Sequence, residues 1–385
     1  MSRMHNRQRG MTLVELMVAL TVGLFLALGI TGVIVQSLRQ QTITGSVNAR
    51  DQAVTAALSQ LDHYVRSAGS GFSNGWKLGF FGCHLQAAKD GDVLLPATLA
   101  APFDHVTALA APGMAPLIVE AGVGANGSDV LFVMGGNGAY SNVPRLVSQA
   151  AGNTLNFENV IGLASKDVLV VAAEGKQDCY LSQIDSVQAG SGGASEGSST
   201  PNSVTLGGNY YLASRDGAES LETIAATSPA FIAPLGGTAA AYPAMRLLGV
   251  GEGDVLFQYD LLNLKGKTPQ AITEGVSHLM AVYGVDTDED GKVDSWVSPS
   301  ASGWTATEVM ASSLKIRQIL AVRLAVIARS QGVNQANVSP ATLQAFASLG
   351  DSLKREVSLS STQRSQRYRV MEIVIPVRNN LQIDS

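Results

Sequence analysis

The stretch GMTLVELMVAL, residues 10–20, opens the apolar part of this chain and contains a single acid, Glu15. From residue 16 to residue 35 the sequence is apolar apart from two threonines. A helix of this length covers roughly 30 Å, which is the thickness of the hydrocarbon layer of a bilayer. The sequence therefore predicts a membrane-spanning helix over residues 11–35.

The residues before this segment are basic. Residues 1–9 contain Arg3, Arg7 and Arg9 and no acid. Such a flank stays on the cytoplasmic side, and the rest of the chain is expected to cross. The apolar run is longer than that of a secretory signal peptide, and no small-x-small cleavage site follows it.

Glu15 is unusual in this setting. A charge at the centre of a membrane helix costs about 2.5–3.5 kcal/mol, and less near the interface. One interpretation places Glu15 at the level of the lipid headgroups. The other, which the sequence favours, gives the carboxylate a positive partner in apolar surroundings.

The residues RGMTLVELMVAL resemble the class III prepilin signal of type IV pilins and type II secretion pseudopilins. The resemblance implies that a prepilin peptidase removes the leader, residues 1–10, by cutting after Gly10 and then methylates Met11. Glu15 becomes the fifth residue of the mature chain. In the family this glutamate pairs with the N-terminal ammonium group of a neighbouring subunit. Met11 departs from the commoner phenylalanine, a variation tolerated in minor pilins.

The helix is predicted to continue beyond the membrane. Apolar residues recur at spacings of 4, 3 and 4, which define one helical face: Val54, Leu58, Leu61 and Val65. Gly69 and Gly71 provide a stop. We expect an amphipathic half-helix at residues 36–69 that packs on a head, in a rod on the order of 85 Å long.

The head, residues 70–385, is predicted to be β-rich, which gives an α+β, pilin-like fold with one long helix. The strand candidates are residues 130–134, 168–173, 203–206, 255–261, 278–285, 321–328 and 368–377. Pro376 indicates an edge strand or a strand end. Short helices are predicted near residues 305–315 and 339–356. A flexible loop at residues 189–203 could divide two lobes, although the strands on both sides leave this open.

Several pieces of the head resemble the PilW-like minor pilins, and they occur in the family's order. They are GFFGCH (79–84), GSDVLFV (127–133), YGVDTDEDGKVDSW (283–296), AVRLAVIARS (321–330) and RYRVMEIVIPVRNN (367–380). The resemblance implies a structural subunit of the inner membrane that joins other minor pilins and the major pilin. It primes fibre assembly at the pilus tip on the cell surface, often with a large tip adhesin.

A candidate metal site lies in DTDEDGKVD, residues 286–294. Its pattern is that of the DxDxDGxxD calcium loop, with Asp286, Asp288, Asp290 and Asp294 as side-chain ligands and the backbone carbonyl of Lys292. Val297 stands where an EF-hand has its bidentate glutamate, so we expect a weak Ca²⁺ site, with Kd ~10⁻⁴ to 10⁻³ M. The alternative is a solvated acidic turn.

The two cysteines, Cys83 and Cys179, have no metal-ligand spacing. In an oxidising periplasm we expect a disulfide between them. Two separate buried thiols are the alternative.

Other classes of function receive little support. The formal net charge of -5 argues against a general nucleic-acid surface, and Arg364, Arg367 and Arg369 are read as a solvated strand face. A strand follows the GxGxxG of residues 122–127, so we interpret that motif as a loop rather than a dinucleotide site.

We expect no enzymatic activity, because no catalytic grouping shows usable spacing. The alternatives kept open are a type II secretion pseudopilin, a membrane-anchored periplasmic enzyme, and a DNA-uptake or adhesive subunit.

Overall fold

The computed structural model describes residues 11–97, 99–136, 143–190, 200–237, 243–262, 268–330 and 337–381. The predicted leader, residues 1–10, and Gly10 with it lie outside these residues. One long helix, α1 (Leu13–Ser67), leads into a head built mainly of strands. This confirms the predicted α+β architecture.

The two halves of α1 have different surroundings. Its second half buries the predicted face, and Val54, Leu61 and Val65 are each 0% exposed. Its first half is exposed in the single chain, and the helix is long and apolar enough to cross a membrane. Gly69, with φ +81°, follows the helix, and a Cβ there would lie 2.1 Å from Ser73 Oγ, so only glycine fits.

Shorter elements follow in the described head. The helices are α2 (Leu221–Ala225), α3 (Ala306–Met310), α4 (Ser313–Gln318) and α5 (Arg378–Leu381). In chain order the strands are β1 (His84–Lys89), β2 (Asp92–Leu95), β3 (Leu117–Glu120), β4 (Val130–Gly135), β5 (Arg145–Val147), β6 (Gln149–Ala151), β7 (Thr154–Phe157), β8 (Asp167–Ala173), β9 (Asp178–Gln188), β10 (Asn202–Leu206), β11 (Ala230–Gly237), β12 (Ala244–Gly251), β13 (Val255–Asp260), β14 (Gln270–Glu274), β15 (Val276–Val285), β16 (Ser295–Val297), β17 (Ile319–Arg329), β18 (Thr342–Ala345), β19 (Arg355–Ser358) and β20 (Tyr368–Pro376).

One of the two predicted short helices needs correction. The helix expected near residues 305–315 is present as α3 and α4, but the segment 339–356 holds β18, a 3-10 turn and part of β19. Its buried positions alternate, with Leu343 and Ala345 inward and Gln344 outward, which is a strand period. Phe346 at φ +59° then interrupts the chain path.

A four-stranded antiparallel sheet, in the order β16-β15-β17-β20, forms the centre of the head. One face packs in the main core with α1, and the other packs against the segment that carries β18 and β19. Because both faces are covered, all ten residues of β15 are buried. β20 is an edge strand, as Pro376 indicated.

A second, five-stranded sheet has the order β14-β13-β12-β4-β3. β4 and β12 are antiparallel neighbours, and Gly135 pairs with Ala244. Residues 136–243 are therefore an insertion between two strands, β4 and β12, that pair as the two strands of a β-hairpin do.

The inserted strands form a barrel-like sheet in the order β5-β11-β8-β9-β10-β7-β6. Only Ser148 separates β5 from β6, and its amide bonds to the Asn156 carbonyl oxygen at 2.9 Å. One continuous segment thus pairs with β11 at one end and with β7 at the other, which closes the sheet on itself. The interior has its own apolar core, to which α2 contributes.

The segment 189–203, predicted to be a flexible loop that could divide two lobes, includes the connection between β9 and β10. β9 and β10, on either side of it, pair antiparallel, with Val187 opposite Val204. The connection is a hairpin, of which residues 191–199 lie outside the described part. The two cores are instead divided at the outer wall of the barrel, where alternate residues of β8, β9 and β11 belong to the main core.

A disulfide joins Cys83 to Cys179 at this wall, with a Cα–Cα distance of 5.7 Å and a sequence separation of 96. Both residues are buried. Next to the bond, β1 and β9 pair in parallel, with Leu85 opposite Cys179. The disulfide therefore fastens the inserted barrel to the segment that follows α1.

Candidate functional site

The start of α1 is organised by Thr12 and Glu15. Thr12 is the N-cap, with φ −75° and ψ 150°, and its Oγ1 accepts a hydrogen bond from the Glu15 amide at 3.3 Å. Glu15 Oε2 in turn accepts from the Thr12 amide at 3.4 Å. This reciprocal pair is a capping box. The sequence reasoning missed it, although the T-x-x-E spacing carries the signal.

The capping box gives Glu15 a contact within its own chain. The five residues from Met11 to Glu15 are described, so the predicted mature N-terminus lies directly beside the N-cap. An acid in the first turn also suits the positive end of the helix dipole. Glu15 can therefore accept the hydrogen bond of the Thr12 amide at the start of α1 and still present its carboxylate to a neighbouring subunit.

The residues that follow form a continuous apolar surface. Large hydrophobic side chains between Met11 and Leu38 are 44% to 76% exposed. A soluble monomer rarely shows an apolar patch of this extent. The surface requires either lipid or the apolar helices of other subunits.

The acidic residues 286–294 connect β15 to β16 as a hairpin loop. One carboxylate oxygen from each of Asp286, Asp288 and Asp294 can be chosen so that all three lie within 4.8 Å of one another. Two oxygens bound to one Ca²⁺ at 2.3–2.6 Å are at most about 5 Å apart. The three carboxylates could therefore hold one metal ion.

Asp290, which the sequence pattern included, lies outside this group. Its carboxylate accepts hydrogen bonds from the Lys292 amide at 2.8 Å and from Lys292 Nζ at 2.6 Å. These bonds, with the Nζ contact first, hold the pKa of Asp290 below its ordinary value. Asp290 also raises the pKa of Lys292, so the two residues form an ion pair.

Two aspartates of the loop, Asp286 and Asp294, accept hydrogen bonds from backbone amides of the same loop and so stabilise its conformation. Asp286 accepts from the amides of Glu289 and Gly291 at 2.7 and 2.8 Å. Asp294 accepts from the Thr287 amide at 2.7 Å and from its hydroxyl at 2.8 Å, which lowers the pKa of Asp294. Gly291, at φ +80°, occupies the bend that the motif assigns to glycine.

Arg317 anchors the loop to the body, a role that the sequence reasoning missed. Its guanidinium is buried, pairs with Glu289 at 2.7 Å and lies 4.7 Å from the centre of the Trp76 ring. Arg317 and Glu289 both line a cleft of about 290 Å³. Trp76 belongs to the 3-10 turn after α1, so the acidic loop is connected to the end of the long helix.

The remaining candidate motifs have structural contacts. Arg369 pairs with Asp51 of α1 at 2.8 Å, and Arg364 Nε donates to the Ser339 carbonyl at 3.2 Å. The GxGxxG segment is the turn between β3 and β4, where the Gly122 amide donates to Asp129 at 3.0 Å.

These features define a class of protein: a pilin-like subunit with an apolar N-terminal helix and a β-rich head. Residues 5–31 match the prokaryotic N-terminal methylation motif, and residues 250–379 match the family described as type IV Pilus-assembly protein W. In these two regions the chain is therefore similar to the PilW family of type IV pilus assembly proteins, and it carries a class III prepilin signal. No curated protein and no solved structure matches the chain.

The family match has a definite place in the fold. It begins at the end of β12 and includes β13 to β20, hence the whole central sheet. The inserted barrel lies outside it. The motif and the apolar helix suit anchoring in the inner membrane before assembly, processing by a prepilin peptidase and association with other pilins. The family is one of structural pilus proteins.

Proposed function

We propose that this protein is a minor pilin that joins other minor pilins to prime fibre assembly at the tip of the type IV pilus. The start of α1 carries the proposal, since an acid precedes an apolar helix surface that none of the described residues covers. The PilW match favours a pilus over a type II secretion pseudopilus.

The proposed maturation removes residues 1–10 by a cut after Gly10, with methylation at Met11. Residues 11–35 then anchor the chain in the inner membrane, residues 36–69 connect the anchor to the head, and residues 70–385 form the periplasmic head. On assembly the apolar helices leave the lipid and pack together in the fibre core. The head then reaches the cell surface, where the major pilin and a large tip adhesin are the proposed neighbours.

The assembly step is proposed to depend on one charge pair. In the apolar fibre core, Glu15 of one subunit meets the Met11 ammonium group of the next. The pair favours one axial register, because any other leaves both charges uncompensated. Loss of one partner of a buried pair costs about 3–5 kcal/mol.

Glu15→Gln is expected to abolish incorporation of the protein into pili, as is Glu15→Ala. Glutamine is also found at this position of capping boxes, so Glu15→Gln preserves the helix start and removes only the charge. The measurement is the number of surface pili and the amount of this subunit in sheared fibres, with membrane levels of the protein checked by immunoblot.

The two variants separate the roles of Glu15. If Glu15→Gln assembles like the wild type while Glu15→Ala does not, the capping box is sufficient and the charge pair is refuted. If both assemble normally, the proposed assembly role fails as a whole.

We also propose that the acidic loop binds Ca²⁺ through Asp286, Asp288 and Asp294. Hard carboxylate oxygens at this mutual distance suit calcium. A bound cation would relieve the repulsion among five acids within nine residues. The backbone carbonyl of Lys292 remains a proposed ligand, and Asp290 takes part only if its ion pair with Lys292 opens.

Calcium at about 10 mM is expected to stabilise the protein by about 1.4–2.7 kcal/mol, given a Kd of ~10⁻⁴ to 10⁻³ M. Thermal unfolding of the full chain in detergent micelles, followed by tryptophan fluorescence, checks this. Asp288→Asn should remove the stabilisation and Asp290→Asn should retain it, because only Asp288 belongs to the three-carboxylate group. No shift in the wild type, or equal loss in both variants, would contradict the site.

A further inference from the structure

Residues 36–48 of α1 connect the apolar half of the helix to the half that packs on the head. Their side chains are exposed, except for Ile43, Ser46 and Val47, which are half-buried. The segment is polar and has one charged residue, Arg39. Neither lipid nor the core of the head supports this part of the helix, and it has no internal ion pair of the i,i+4 type.

The sequence TITG, residues 42–45, has low helix propensity. Threonine and isoleucine lose side-chain freedom in a helix, and glycine is the least favourable residue there after proline. A Cβ at Gly45 would meet nothing within 4 Å. Packing therefore does not require glycine at this position, and its remaining effect is on the freedom of the backbone.

Side chains in the segment also compete for the helix backbone. Thr42 Oγ1 donates to the Leu38 carbonyl at 2.9 Å, and Ser46 Oγ donates to the Ile43 carbonyl at 2.8 Å. Bonds of this kind weaken and bend helices. On the head side the helix is held by Val54 and the buried residues after it, and on the other side by the apolar segment.

We propose that residues 42–46 are a hinge at which α1 opens locally and changes the angle between the membrane anchor and the head. A subunit needs such freedom because its anchor must leave a flat bilayer and enter a helical fibre while its head keeps its neighbours. The local opening stands on the observations above, whereas its use in assembly rests on the proposed function.

Hydrogen exchange of the full chain in detergent micelles tests the opening. The amides of residues 42–48 are expected to exchange faster than those of residues 53–65, which pack on the head. Gly45→Ala should slow exchange in the hinge by about fivefold, the effect of a glycine-to-alanine change on helix formation. Gly29→Ala is the matched control, since its Cβ also has open space but lies in the apolar segment.

The outcomes separate the two levels of the proposal. Equal exchange in the two segments, or no effect of Gly45→Ala, overturns the hinge. In cells, Gly45→Ala should reduce incorporation into pili, and Gly45→Ala/Ala49→Gly, which moves the glycine one turn along, should restore it. If Glu15→Gln blocks assembly while Gly45→Ala assembles normally, the hinge has no role in assembly and the proposed function stands.

Discussion

Replacement of Asp129 by alanine is expected to lower the free energy of unfolding by about 3–5 kcal/mol. Asp129 is 0% exposed and binds three elements at once. Its carboxylate accepts from the Gly122 amide at 3.0 Å, from the Ala281 amide on β15 at 2.8 Å, and from Arg355 on β19. Alanine leaves two backbone amides and one guanidinium without this acceptor.

The measurement is guanidinium unfolding of the full chain in detergent micelles, followed by the fluorescence of the three tryptophans, all of which lie in the head. Asp51→Ala is the matched control. Asp51 also pairs with arginine, but at the surface, where such pairs contribute about 0–1 kcal/mol. An Asp129→Ala variant no less stable than Asp51→Ala would refute the role given to Asp129.

Substitution of the ion-pair partner, Arg355→Met, is expected to change how the free energy of unfolding depends on pH, and the sign of this change follows from the pKa of Asp129. Burial raises the pKa of Asp129, and Arg355 opposes that rise. Without Arg355 the pKa rises further, so the folded protein keeps the proton at pH values where the unfolded chain has lost it. The free energy of unfolding then falls as pH rises from about 4 through the folded pKa.

The stability deficit of Arg355→Met is therefore expected to be smaller at about pH 5 than at about pH 7.5. Burial lowers the pKa of His278, and Arg355 lowers it as well. The pKa of His278 therefore also rises in this variant, which reduces the stability deficit at acid pH in the same way. A deficit that grows towards acid pH would show that Arg355 does not compensate Asp129.

Loss of the disulfide is the second large effect. The double variant Cys83→Ala/Cys179→Ala should be less stable by about 4–5 kcal/mol, the chain-entropy value for a closed loop of this length. The bond joins residues 96 apart in sequence at the wall where the barrel meets the body. Exchange of the β1 and β9 amides should also accelerate, because their short parallel ladder lies next to the bond.

Guanidinium unfolding under non-reducing conditions measures this effect, and mass spectrometry verifies the bond in the wild type. The single variant Cys83→Ala, which lacks the bond but retains one sulfur, should resemble the double variant. If the single variant kept most of the stability, side-chain packing rather than loop closure would explain the difference.

The strands of the central sheet could be predicted from local sequence, because the polarity of the side chains in a segment reflects whether that segment is buried. The segments 278–285 and 321–328 are apolar apart from His278 and Arg323, and both prove to be buried on two sides. The prediction of a short helix at residues 339–356 failed. That segment forms β18 and β19 because it covers the outer face of the central sheet, a partner that local sequence does not reveal.

The acidic loop shows the same division. The alternation of aspartates and the glycine after them predicted the carboxylates that converge. Sequence spacing could not show that Asp290 pairs with Lys292 instead of joining that group. It also could not show that Arg317 pairs with Glu289 and packs over the Trp76 ring. Those contacts depend on which side chains meet after the chain has folded.

The sequence by itself was sufficient to predict the organisation of the N-terminal segment of this protein. A basic leader, a glycine, Glu15 and a long apolar run are local features, and their chemistry needs no distant partner to be interpreted. Only the tertiary structure decided that the described strands between residues 136 and 243 close into a barrel inserted between β4 and β12, and that Asp129 joins three elements. Strand pairing and buried charge contacts connect residues roughly a hundred or more positions apart, and a local pattern does not specify the partner at such a distance.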